Sequence, residues 1–102
     1  MNERDASLGL LEVHGFAAAM AAADAMSKAA PVRIGTAARI GDGLVTVVAN
    51  GQISAVQEAV AAGVAAAERV GRVVARNVIG RPSPELWAVF AFSTGRAAID
   101  QR

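Results

Sequence analysis

The apolar and polar positions of the chain alternate between two periods. Leu8 to Val13 is a short apolar run closed by His14-Gly15 and reads as a strand. Phe16 to Ala29 is rich in Ala and Met, holds no breaker and is followed by Pro31, so it reads as a helix that stops before the proline. Val32 to Ile40 mixes apolar and polar residues and predicts a second strand. Gly41-Asp42-Gly43 is a turn, with two residues free to take positive φ. Leu44 to Ala49 is a β-branched run, hence a buried third strand, and with its predecessor it forms a hairpin. Asn50-Gly51 reads as another turn. Ile53, Val56, Val60 and Val64 then share one stripe of a helix running from Ile53 to about Arg69, ended by Gly71. Most other positions of that helix are Ala, with Gly63, and small residues let a second surface approach closely. Arg72 to Ile79 reads as a fourth strand. Simple alternation puts Val74 and Val78 on one face with Arg72 and Arg76, and Val73, Ala75 and Ile79 on the other.

The resulting order, β-α-β-β-α-β, is the split βαβ or ferredoxin-like arrangement of the α/β (α+β) class. Something different begins at Arg81-Pro82-Ser83-Pro84. Ser83 suits an N-cap, Pro84 the first helical position and Glu85 the positive helix end, which predicts a short extra helix from Pro84 to about Phe92.

Composition sharpens this picture. Hydrophobic residues make up 54% of the 102, but many are Ala and only 4% are aromatic: Phe16, Trp87, Phe90 and Phe92. One small core is available, with a thin margin, so the elements must pack closely or bury surface against copies of the chain. Ten basic and nine acidic residues give a net charge of +1, which offers no field for nucleic acid. Arg69, Arg72 and Arg76, balanced by Glu68, read as a solvated or interfacial strand edge. The sequence has no cysteine, so disulfides and thiolate chemistry are excluded. Met1 to Ser7 carries both signs of charge and lacks the pattern of a signal peptide. The alanine-rich stretch Phe16 to Ala30 contains Asp24 and Lys28 and is too short to span a bilayer. The expectation is a cytoplasmic protein.

Candidate chemistry is sparse. His14 is the single histidine, without a second ligand or nucleophile nearby in sequence, and reads as a surface or interface side chain. Gly41-Asp42-Gly43 lacks the third glycine of a dinucleotide loop and lies between strands. Glu12, Asp24, Asp42, Glu58 and Glu68 are scattered and form no paired acid–base motif. No enzymatic activity, cofactor or metal is expected from the residues.

Four segments carry a resemblance when read together: Ser7-Leu8-Gly9-Leu10-Leu11-Glu12, Ala22 to Ala30, Arg39-Ile40-Gly41-Asp42-Gly43-Leu44-Val45-Thr46-Val47, and Val78-Ile79-Gly80-Arg81-Pro82. In this order and spacing they resemble the single-domain, hexamer-forming shell proteins of bacterial microcompartments (the BMC domain). The resemblance covers residues 6–82 and leaves 83–102 as a variable C-terminal helix and tail. It implies cyclic homohexamers that tile into a shell facet together with other shell proteins of the same compartment. It implies that Gly41, Asp42 and Gly43 line a central pore, with Arg39 as a further pore candidate. It also implies that Lys28 and Arg81 meet at the edge between neighbouring hexamers. No nucleic acid or membrane partner is implied.

The sequence departs from the resembled family at several points. Pro31 stands where a polar residue is frequent beside the edge lysine, Gly80 replaces a proline frequent before Arg81-Pro82, and His14 stands where many relatives have Lys or another polar residue. Asp42 takes the place of a small residue such as serine in the pore loop. A ring of Asp favours cations over anions, so the expected permeants are small polar or cationic metabolites of a catabolic compartment. The other readings are a carboxysome shell hexamer and a ferredoxin-like regulatory domain that binds a small ligand. The aromatic helix of Trp87, Phe90 and Phe92 reads as a cover for the domain's own core, or else as a docking patch for an encapsulated enzyme's terminal helix.

Overall fold

A computed structural model describes residues 7–38 and 42–86. The elements are β1 (Ser7–His14), α1 (Phe16–Ala29), β2 (Arg33–Ala38), β3 (Leu44–Gly51), α2 (Ile53–Glu68) and β4 (Arg72–Ile79). They form one antiparallel sheet in the order β2-β3-β1-β4, which is the ferredoxin-like topology expected from the element order. Arg39, Ile40 and Gly41 lie outside the described residues, as do Trp87, Phe90 and Phe92 and therefore most of the expected C-terminal helix.

Both helices cover one face of the sheet. Leu11 and Val13 of β1 and Val45, Val47 and Ala49 of β3 point into a core shared with Ala18, Ala19, Ala22 and Met26 of α1 and Val56, Ala59 and Val60 of α2. The small residues let the layers close up. A Cβ on Gly9 would stand 2.6 Å from both Val56 Cγ1 and Val60 Cγ2, so α2 rests directly on the β1 backbone. A Cβ on Gly63 would stand 2.7 Å from Met26 Cγ, which shows how tightly α1 and α2 meet. The expected α2 stripe is only partly the buried one. Val56 and Val60 are buried, but Ile53 at the helix start is 43% exposed, and Ala59, Gly63, Ala66 and Ala67 complete the buried face.

Among the described residues, the other face of the sheet is covered at one end only. There Leu8 and Val48 are covered by Leu10, Ile79 and Leu86, the last from the segment after β4. Hydrogen bonds tie down the same end: Ser7 Oγ donates to Gly80 O (2.8 Å), and buried Asn50 Nδ2 donates to Ser7 O (3.2 Å).

Two sequence-based readings need correction. Asn50-Gly51 is not a turn but the end of β3, because Gly51 pairs with Ser7, and Asn50 pairs with both Leu8 and Arg33. Ladder pairing on both sides overrides the local turn preference. In β4, Val73 and Val78 both pack on the main core, although simple alternation puts them on opposite faces. The register shifts between Glu12 and Val13, where Glu12 pairs with Ala75 and Val13 with Val73, so Val74 is the extra residue of a β-bulge. Val74 is consequently 43% exposed.

Candidate functional site

The β2–β3 turn is built from residues with little freedom to do otherwise. Gly43 has φ of 74°, a region that costs other residues about 1–2 kcal/mol. Asp42 is exposed, and its Oδ1 accepts a hydrogen bond from Leu44 N (3.2 Å), a local turn closure that Asp favours. The turn is tied to the end of β1 as well, since Gly15 N donates to Gly43 O (2.8 Å). The side chain of His14 lies against this turn: a Cβ on Gly43 would stand 3.2 Å from its Nε2 and 3.4 Å from its Cε1. Across the ladder His14 pairs with Leu44 on one side and Arg72 on the other.

Lys28 is in the last turn of α1, where a cation complements the helix dipole. Its Nζ is 3.0 Å from Asp24 Oδ2, one helical turn back, with the two side chains 75% and 62% exposed. An exposed i,i+4 pair of this kind contributes about 0.3–0.5 kcal/mol and less at high salt, so Lys28 is easily recruited elsewhere. Asp24 is thus engaged within its own helix. Arg81 is exposed, between exposed Gly80 and buried Pro82.

The topology separates these residues into two groups. β1 is antiparallel to β3 and β4, and β2 to β3. The Asp42 turn therefore sits beside His14, at the end of β1. The C-terminus of α1 and the segment after β4 both lie at the start of β1. Contacts mark that end from both sides: Gly80 O accepts from Ser7, and a Cβ on Gly51, the partner of Ser7, would stand 3.3 Å from Pro31 O. At about 3.3 Å per residue, the seven steps from Ser7 to His14 put roughly 23 Å between the Asp42 turn and the end that carries Lys28 and Arg81. Arg39 and Gly41 of the expected pore set lie outside the described residues. Sequence reasoning overlooked the seat of His14 against Gly43. The pairing of β1 with β3 was the available signal, but its register was not.

Chemistry elsewhere is limited. Among the described residues no group of three or more His, Asp and Glu could hold a metal ion, and no helix is long and apolar enough to cross a membrane. A shallow concavity of about 230 Å³ on the open face is lined by Leu10, Glu12, Thr46, Ala75, Arg76 and Asn77.

Comparison with known proteins gives a consistent result. The family model described as the BMC domain matches residues 7–82. The bacterial microcompartment shell protein EutM of Salmonella typhimurium is 42% identical over 87 residues, which are 85% of this chain and 91% of that protein. EutK of the same organism is 47% identical over 88 residues, which are 85% of this chain but only 54% of EutK, so the chain spans about half the length of that relative. The carboxysome shell protein CsoS1C of Hydrogenovibrio crunogenus is 46% identical over 83% of this chain and 84% of its own length. Among solved structures, a microcompartment protein from Desulfitobacterium hafniense superposes with a TM-score of 0.74 at 32% identity, over 87% of this chain and 48% of that one. The chain therefore belongs to the BMC-domain family of bacterial microcompartment shell proteins.

Proposed function

We propose that this protein is a structural subunit of a catabolic microcompartment shell in the bacterial cytoplasm, forming cyclic homohexamers that tile into the facet. The Asp42 turn lines a central pore, with Gly41, Gly43 and Arg39 beside it. Lys28 and Arg81 form the contact between neighbouring hexamers and with other shell proteins. The carrying observation is the placement of the Asp42 turn at one end of the sheet and of Lys28 and Arg81, beyond its two edge strands, at the other end, roughly 23 Å away. A wedge in a ring needs that polarity, with one end at the axis and the other at the rim. The thin alanine-rich core fits a chain that gains further burial from its copies, and β4, an edge strand, is exposed along most of its length.

Six Asp42 carboxylates around one axis favour small polar or cationic permeants over anions. This acidic turn is what favours a catabolic compartment over a carboxysome, because identities of 47% to EutK and 46% to CsoS1C do not discriminate. Encapsulated enzymes remain candidate partners through the C-terminal segment. The test is mass in solution followed by negative-stain electron microscopy. Six-membered rings packed in hexagonal sheets or tubes are expected. A monomer, dimer or trimer that never tiles refutes the proposal.

A further inference from the structure

The hexameric pore leaves one residue of its neighbourhood unused. His14 ends β1 on the open face of the sheet, and its imidazole lies against the backbone of Gly43, next in sequence to Asp42. Two features hold it there. Gly15 N donates to Gly43 O (2.8 Å), which fixes the strand end to the turn, and the absence of a Cβ at Gly43 leaves room for the ring. We infer that His14 supplies a second ring of charge behind Asp42 and lowers the pore's preference for cations as the pH falls. This inference rests on the hexameric reading.

Several charged groups face His14 from the elements around it. Asp42 stands on the adjoining turn, Arg72 pairs across from it on β4, and Glu12 lies two residues back on the same strand face. Glu68 and Arg69 precede Gly71, whose added Cβ would stand 3.0 Å from His14 O. On the α1 side the neighbours, Phe16 to Ala19, are uncharged. Histidine is the side chain whose charge characteristically changes between pH 5 and 8, while arginine stays protonated. Each imidazolium therefore offsets one carboxylate, and a cyclic hexamer multiplies the change by six. Six charges on the order of 10 Å from an axial ion, screened over a Debye length of about 8 Å, disfavour a cation roughly three-fold and favour an anion roughly three-fold, about ten-fold in their ratio.

The experiment is the reversal potential of purified hexamers in planar bilayers under a potassium chloride gradient, at about pH 8 and about pH 5.5. The native protein should lose about ten-fold in cation-over-anion permeability at the lower pH. His14→Gln should keep the selectivity of pH 8 and lose most of the pH step. His14→Lys should show the low-pH selectivity at both values. Each variant is first shown to be a hexamer by its mass. If His14→Gln keeps the whole pH step, the inference is overturned, because the step then does not come from His14. The underlying pore reading fails separately, if Asp42→Ser leaves the selectivity at pH 8 unchanged.

Discussion

Replacing Gly9 by alanine adds one methyl group at the tightest contact of the fold. The new Cβ would stand 2.6 Å from Val56 Cγ1 and from Val60 Cγ2, and 3.7 Å from Ala49 Cβ. Carbon atoms in contact prefer about 3.5–4.0 Å, so the methyl is about 1 Å too close to two side chains at once. Both are valines on α2, and β-branched side chains in a helix have essentially one χ1 well. Relief therefore comes from forcing both off-rotamer or from lifting α2 off the sheet. Overpacking of this kind costs about 1–3 kcal/mol, and two off-rotamer valines alone account for about 1–3 kcal/mol. Alanine recovers about 0.5–1 kcal/mol relative to a strand glycine. The expected net loss is about 1 kcal/mol, or roughly 4–8 °C in Tm for a domain of this size.

Gly80→Ala is the control, because a Cβ there meets nothing within 4 Å. Thermal and urea unfolding should be compared at one fixed protein concentration, since assembly adds to apparent stability. Pairing Gly9→Ala with Val60→Ala should recover 0.5 kcal/mol or more relative to the sum of the single changes, because the two sites compete for one space (about the lower limit for contacting residues). A Gly9→Ala variant as stable as Gly80→Ala refutes the packing argument.

Asn50→Ala should cost about 1–2 kcal/mol in urea unfolding, since it strips Ser7 O of its bond from a side chain only 7% exposed. Lys28→Ala should change unfolding free energy by less than about 0.5 kcal/mol, as the Asp24 pair is exposed, while abolishing sheets in electron micrographs. Arg81→Ala should also block sheets and leave hexamers intact in solution. Asp42→Ser should keep the hexamer and weaken the exclusion of anions.

Much of this fold was legible because its signals are local. Pro31 fixes the end of α1, Gly43 with Asp42 fixes the β2–β3 turn, and the β-branched runs mark β3 and β4. What escaped depends on pairing. The β-bulge at Val74 has no signature in Arg72–Ile79, yet it decides which valines of β4 reach the core. Asn50 and Gly51 carry a turn preference, but β1 on one side and β2 on the other recruit Asn50 into the ladder, and β1 holds Gly51. The proposed residue roles divide in the same way. Asp42, Lys28 and Arg81 stand out through family spacing, whereas the seat of His14 against Gly43 exists only once β1 and β3 are in register.

Because the chain has no cysteine, a single introduced thiol reports on one position alone. Asp42→Cys hexamers should be isolated and treated with a mild oxidant or a short bismaleimide, beside Lys28→Cys hexamers kept too dilute to tile. If the Asp42 turns meet at a common axis, the first should give covalent dimers at twice the chain mass within each ring, independent of concentration, while the second remains monomeric on a denaturing gel. Cross-links within isolated rings at position 28 and none at position 42 would place the wrong end of the sheet at the axis and contradict the pore.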